Sequence, residues 1–120
     1  MQDVNVVVVF DSRDESIERL ALAAAVGAVQ GRALIRLRRF PGTPEHREYV
    51  TPRDADADWA HAFVVVAKAV SEEAAPYLAS LHRRFTVVEI DCNGATDSAR
   101  AEGRRAAETA RAARPRAEAE

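Results

Sequence analysis

Residues 4–17 read VNVVVVFDSRDESI, and this stretch decides the fold. Its apolar run, Val6 to Phe10, is mostly β-branched, which is typical of a strand buried on both faces. The chain then turns polar over Asp11 to Asp14 and regains a helical apolar period from about Glu15. A strand, a loop and a helix form the first half of a βαβ unit. In open α/β sheets, ligands bind just beyond the carboxyl end of such a strand.

Composition limits the class of protein. The chain has 120 residues, a formal net charge of −2 and one cysteine, Cys92. We expect one compact domain over residues 1–115, followed by a disordered tail at 116–120. The near-neutral charge argues against nucleic acid and a membrane surface as partners. A lone cysteine excludes an internal disulfide. Without a visible signal peptide or a membrane-spanning apolar run, the sequence predicts a cytoplasmic protein.

Three further strands are expected, and their patterns order the sheet. Residues 33–40, ALIRLRRF, alternate apolar side chains with arginines, which indicates an edge strand. Residues 62–67, AFVVVA, are apolar throughout and predict a second central strand, and residues 86–91, TVVEID, predict a fourth. With right-handed crossovers the order is 2-1-3-4. This is a Rossmann-like, flavodoxin-like α/β fold with an open parallel sheet, helices on both faces and the fifth strand missing.

Helix signals follow the strands. Ser12 and Glu15 form an S-x-x-E capping box for the first helix, which we expect to end near Gly31. Its inward stripe is Ile17, Leu20, Ala21, Ala24 and Ala28. Residues 41–61 are punctuated by prolines and predict an irregular crossover with about one helical turn. A helix opening at 71–73 tolerates Pro76 near its first turn.

The last helix is expected to begin at Thr96 or Asp97 and to run to about Ala113. Its inward stripe consists of small residues: Ala99, Gly103, Ala106 and Ala110. Such a stripe predicts that the helix lies close to the sheet. Together with the open edge of the strand at 86–91, a flat Ala/Gly surface also predicts self-association, so the chain is expected to form a homo-oligomer, a dimer.

Three stretches resemble the flavodoxin-like NAD(P)H:quinone oxidoreductases of the tryptophan-repressor-binding (WrbA) type. They are VVVVFDSRDESIERLA (6–21), YVTPRDADADWAHAFVVVA (49–67) and DSARAEGRRAAETA (97–110). The resemblance implies FMN as cofactor and electron transfer from NAD(P)H to quinones. It also implies a phosphate loop at Ser12, Arg13, Asp14, Glu15 and Ser16. Ala67 and Lys68 would then border the flavin ring.

The departures from that family fall on the cofactor loops. Glu15 stands where the family has a glycine, with Asp11 and Asp14 beside it, and Arg13 offsets only part of this negative charge. A pair of like charges about 4 Å apart costs roughly 1 to 4 kcal/mol between bulk water and a protein surface. Residues 67–71, AKAVS, also lack the Gly-x-Pro-Thr-Arg-Phe-Gly type loop that encloses the ring. The sequence therefore predicts a non-catalytic interaction or regulatory module with no cofactor.

Other functions stay open. An FMN-binding NAD(P)H:quinone oxidoreductase or electron-transfer flavoprotein remains the alternative, with its pocket completed by oligomerisation and the phosphate held by Ser12, Arg13 and Ser16. A third option is another anionic small molecule, bound by Lys68 and the first loop. A phosphoryl-accepting receiver domain is disfavoured, because the third strand ends in Ala67-Lys68 rather than in an aspartate.

The remaining chemistry-bearing residues favour structural interpretations. The histidines His46, His61 and His82 lack ligand spacing, so no metal site is predicted. Cys92 is expected to pack, and Tyr49 and Trp59 to cover the core or rim of the sheet. Two arginine groups alternate with acidic residues and are expected to be solvated. They are Arg36, Arg38 and Arg39, and Arg100, Arg104 and Arg105.

Overall fold

The computed structural model describes residues 4–11, 15–40, 54–67, 72 and 74–113. Strands and helices alternate along these residues. The elements are β1 (Val4–Asp11), α1 (Glu15–Gln30), β2 (Ala33–Phe40), α2 (Asp54–Trp59), β3 (Ala62–Ala67), α3 (Ala75–Arg84), β4 (Val87–Glu89) and α4 (Thr96–Ala113). Most of the predicted irregular crossover and the predicted disordered tail lie outside the described residues.

The sheet is parallel and has the strand order β2-β1-β3-β4. The predicted order is therefore confirmed, with the two valine-rich strands in the middle and the two alternating strands at the edges. β1 is buried from Val6 to Asp11, as its continuous apolar pattern requires. Asp11, at the carboxyl end of β1, lies opposite Phe40 of β2 and Ala67 of β3 in the register.

Successive side chains of β1 point to opposite faces of the sheet and build two separate cores. Val6, Val8 and Phe10 pack with α1 and α4 on one face. Val7 and Val9 pack with α2 and α3 on the other. The predicted inward stripes of α1 and α4 are all buried. The valine run thus serves both layers of helices at once.

The closest approach of α4 is to α1 rather than to the sheet. A Cβ atom placed on Gly27 would overlap the backbone carbonyl of Arg100, and one placed on Gly103 would overlap that of Ala24. The small residues of α4 therefore serve to bring two helix backbones together. The Ala/Gly stripe is therefore not an open surface for self-association, because α1 covers the buried residues Gly103 and Ala106 within the same chain.

The predicted end of α1 near Gly31 is confirmed. The helix stops at Gln30, but the left-handed residue is Arg32, with φ 67°, and no described glycine has a positive φ. Gly31 is needed for space instead, since a Cβ there would lie 3.0 Å from the Cβ of Ala107. Arg111 Nη2 donates a hydrogen bond of 2.8 Å to the Arg32 carbonyl and so ties α4 to this turn.

Two predicted boundaries were too generous. α3 begins at Ala75 instead of 71–73, and Pro76 stands in its first turn, where its missing N–H costs nothing. β4 spans three residues rather than the six predicted at 86–91. Its ladder still extends at both ends, because the Phe63 N–H donates to the Thr86 carbonyl at 3.2 Å and the Ile90 N–H donates to the Val65 carbonyl at 2.9 Å.

Candidate functional site

The candidate site lies where the sheet order reverses, at the carboxyl ends of β1 and β3. From β1 the chain crosses to β2 on one side, and from β2 it crosses to β3 on the other. Because Asp11 is in register with Ala67, the segments that follow β1 and β3 start side by side. This is the position at which open α/β sheets bind ligands.

The structure places part of the predicted site there. Glu15 and Ser16 are exposed at the start of α1, and Ala67 is half-buried at the end of β3. The other predicted site residues lie outside the described residues: Ser12, Arg13, Asp14 and Lys68. Their assignment to a phosphate loop and a ring loop stays a prediction.

Asp11 is a buried acid at this edge, with only 6% of its surface exposed. It ends a strand whose other side chains are nearly all buried, so the sheet fixes the position of its carboxyl group. Glu15 and Glu18 add two acids in the first turn of α1. Carboxylates in a first helical turn interact favourably with the same N–H groups and helix dipole that attract a phosphate.

The described part of the candidate site is therefore acidic at the start of α1. A phosphate seated at the start of α1 would meet the exposed carboxylate of Glu15. It would also compete with Glu18 for the favourable field of the helix N-terminus. A phosphate-binding helix N-terminus offers N–H groups and a positive field to the ligand, and carboxylates in the first turn compete for both.

A cleft of about 240 Å³ lies between β3, α3 and β4. Its walls include Val65, Leu78 and Ile90, and His82 faces Glu89 across it with 3.5 Å between Nε2 and Oε1. On the α4 side of β4, a second cleft of about 270 Å³ is lined by three acids, including Glu89 and Glu102. Both volumes fall below the range of about 300–1,000 Å³ that is typical of ligand pockets.

The first arginine group is not solvated, contrary to prediction. Asp56 of α2 is 2% exposed and lies over β2, where it binds two guanidinium groups. Arg36 Nη1 is 3.1 Å from its Oδ1, and Arg38 Nε is 2.8 Å from its Oδ2. The Arg36 guanidinium also stacks on Trp59, 4.2 Å from the ring centroid. Alternating acids at 54–58 were the available signal, but they do not reveal which carboxylate turns inward.

The third member of that group is buried on the opposite face of the sheet. Arg39 is 5% exposed, with its guanidinium 5.9 Å from the ring centroid of Phe10. The second group behaves as predicted. The side chains of Arg100, Arg104 and Arg105 are 43%, 58% and 63% exposed, and they pair with acids three or four residues away on α4. The alternation of arginines with acidic residues thus predicted the solvated arginines of α4 correctly but not the buried arginines of β2.

The histidines and the cysteine in the described part of the chain have structural contacts. His61 Nδ1 accepts a hydrogen bond of 2.8 Å from the Asn5 N–H, and Asn5 Nδ2 donates to the Trp59 carbonyl at 2.8 Å. Cys92 is half-buried against the core on the α1 side. Among the described residues no group of three or more histidine, cysteine or acidic side chains is placed to hold a metal ion. Within those same residues, no helix is long and apolar enough to cross a membrane.

Comparison with known proteins supports the fold class. No family model matches the chain, and no curated protein sequence matches it significantly. The chain is similar to the solution structure of the uncharacterized protein lmo0427, with a TM-score of 0.56 and 14% identity over 92% of this chain and 93% of that one. It is also similar to the diflavin flavoprotein A3 (all3895) from Nostoc sp., with a TM-score of 0.53 and 13% identity over 100% of both chains.

These similarities define the class by fold. The chain is a flavodoxin-like α/β domain with a four-stranded parallel sheet. They support the flavodoxin-like fold and do not single out the WrbA type.

Proposed function

We propose that the chain is a non-catalytic flavodoxin-like domain that acts through contacts with other proteins, as an interaction or regulatory module without a cofactor. One observation carries the proposal: carboxylates stand at both ends of the loop that would hold the FMN phosphate. Asp11 is buried at the end of β1, and Glu15 is the first residue of α1.

For a phosphate at this site, the repulsion from nearby carboxylates is expected to exceed the attraction of the helix N-terminus. A unit charge about 4 Å from a like charge costs about 4 kcal/mol at a protein surface and about 1 kcal/mol in water. A helix N-terminus stabilises a nearby anion by about 0.3–1 kcal/mol. A dianionic phosphate at the start of α1 would meet the carboxylates of Glu15 and Glu18 in the first turn of the helix.

The clefts beside the sheet also suit a flavin ring poorly. The cleft of about 240 Å³ has mainly aliphatic walls, with His82 and Glu89 also in its lining, and its described lining residues include no phenylalanine, tyrosine or tryptophan. The neighbouring cleft of about 270 Å³ is acidic. A flat, hydrophobic ring is usually bound in larger, mainly apolar pockets with a few placed polar groups.

An FMN titration followed by flavin fluorescence tests the proposal. We expect colourless purified protein and no quenching of FMN fluorescence at any protein concentration. Glu15→Gly, which removes the exposed acid at the start of α1, is the matched variant, and a gain of quenching there would identify charge as the cause. Stoichiometric quenching by the unmodified chain would overturn the proposal.

The second candidate is an FMN-binding NAD(P)H:quinone oxidoreductase or electron-transfer flavoprotein whose pocket is completed by oligomerisation. It is favoured by the register of Asp11 with Ala67 at the switch point of the sheet, and by the similarity in fold to a diflavin flavoprotein. Ser12, Arg13 and Ser16 would then hold the phosphate, and residues 67–71 would border the ring. FMN would supply the redox chemistry, while the chain would bind and orient it.

A further inference from the structure

The outer face of α1 carries a stripe of exposed apolar side chains. Leu22, Val26 and Val29 are 41%, 49% and 52% exposed. They are spaced four and three residues apart, so they lie on one line along the helix. We call these three residues the α1 stripe. The other exposed large hydrophobic residue in the described part of the chain, Leu34, is on β2.

In the described part of the chain, none of these three side chains belongs to either core of the sheet. The inward residues of α1 pack on the sheet, and Gly27 packs against α4, so both of those faces are occupied. Valine is also less favourable than alanine or a long polar residue at an exposed helical position, because its χ1 rotation is restricted. Isolated exposed apolar residues are ordinary, whereas large contiguous apolar patches mark interaction surfaces.

The charges at the two ends of the stripe are opposite. Glu15 and Glu18 precede it in the first turn of α1, and Arg19 reduces this to one net negative charge. Arg32 follows the stripe in the turn after the helix, and the last turn of α1 contains no basic residue. A face with an acidic end, an apolar centre and a basic end is complementary to itself when one copy is reversed.

We propose that the α1 stripe is a homodimer interface, in which the α1 helices of two copies pair antiparallel about a two-fold axis next to Val26. Each acidic first turn then lies beside Arg32 of the other copy, and the two helix dipoles oppose each other favourably. Under a two-fold axis, the same contact between an acidic first turn and Arg32 forms at both ends of the helix pair. The proposal rests on the proposed function, since it names a second copy of this chain as the protein that the module binds.

The size of the stripe sets the strength of the dimer. It spans seven residues of helix, or about 10 Å. Such a contact is smaller than the roughly 800 Å² per partner of a stable interface, so the dimer is weak and reversible. Its mass by sedimentation should therefore rise with concentration from 13.1 kDa toward about twice that value.

Charge substitution at the axis tests the geometry. Val26→Glu and Val26→Lys each place like charges opposite one another and should be monomeric, whereas an equimolar mixture of the two should associate. Leu34→Lys is the matched control, because it removes an equally exposed apolar side chain outside the stripe, and it should associate as the unmodified chain does. Circular dichroism verifies that each variant is folded, and Leu22→Gln replaces any Val26 variant that is not.

Each outcome decides between the possibilities. Concentration-dependent mass that is lost in both Val26 variants and restored in their mixture supports the proposal. A monomeric unmodified chain, a mixture that stays monomeric, or loss of association in Leu34→Lys overturns it. A monomer that binds no FMN removes the dimer alone, whereas a dimer that binds FMN removes the non-catalytic function alone.

Discussion

On one face of the sheet, α1 and α4 meet backbone to backbone at Gly27 and Gly103, whereas on the other face α2 meets β2 through the buried carboxylate of Asp56. The first contact is selected by shape, since any side chain at the two glycines would overlap a carbonyl. The second is selected by charge, since one acid binds two guanidinium groups. The same sheet is thus completed by close packing on one side and by ion pairing on the other.

The largest expected effect comes from breaking the shape-selected contact. Gly103→Val should lower the free energy of unfolding by about 3 kcal/mol, the upper end for overpacking, because the side chain meets the rigid backbone of Ala24. Urea denaturation measures this. Ala101→Val is the control at an exposed position on the same helix, and it should lower stability by less than about 1 kcal/mol, mainly through the lower helix propensity of valine. Equal effects from the two substitutions would mean that the helices are not in close contact.

Removing the carboxylate of Asp56 should lower the free energy of unfolding by less than Gly103→Val does. Asp56→Ala leaves Arg36 and Arg38 without their carboxylate, and we expect a loss of about 2 kcal/mol. This is below the roughly 3–5 kcal/mol of a fully buried pair, because the arginine side chains remain 34% and 18% exposed and regain some water. Thermal and urea unfolding measure the loss.

Asp58→Ala on the same helix is the control for Asp56, since Asp58 is exposed. It should change stability by less than about 0.5 kcal/mol. A loss of similar size in Asp58→Ala would show that the acids of α2 act collectively and that Asp56 has no special place.

Loss of an arginine from β2 should lower the free energy of unfolding more than loss of an arginine from α4. Arg38→Ala removes the bond from Nε to Asp56 and the bond from Nη1 to the Leu37 carbonyl, at 2.8 and 3.0 Å. Charge-assisted hydrogen bonds contribute about 1.5–3 kcal/mol when their groups are buried. Because Asp56 keeps Arg36 as a partner, we expect a loss of about 1 kcal/mol in chemical denaturation.

The smallest effect is expected at the exposed counterpart. Arg104→Ala on α4 removes an ion pair with Glu108, 3.3 Å between Nε and Oε2, in which both side chains are more than half exposed. Such pairs contribute about 0.3–0.5 kcal/mol, and the contribution falls as salt is added. Thermal unfolding of the variant and the unmodified chain at low and high salt should measure this difference in stability. An effect as large as that of Arg38→Ala would contradict the contrast between the two faces.

Much of the fold was predictable because its signals are local. The continuous apolar runs predicted β1 and β3 as central strands, and the arginine alternation in Ala33–Phe40 predicted β2 as an edge strand. α4 begins at Thr96 and ends at Ala113 as the capping residues and its stripe predicted. Less of the candidate site could be predicted, since four of its seven proposed residues lie outside the described residues.

The sequence by itself determined the order of the strands, the inward stripes of α1 and α4 and the acids that flank the first loop, because periodicity and residue type act over a few neighbours along the chain. The tertiary structure alone decided which surfaces meet. Gly27 lies against Arg100 and Asp56 lies against two residues of β2, although each pair is distant in sequence. Such contacts depend on how whole elements pack, and no local pattern records which of several acids or small residues will turn toward a neighbour.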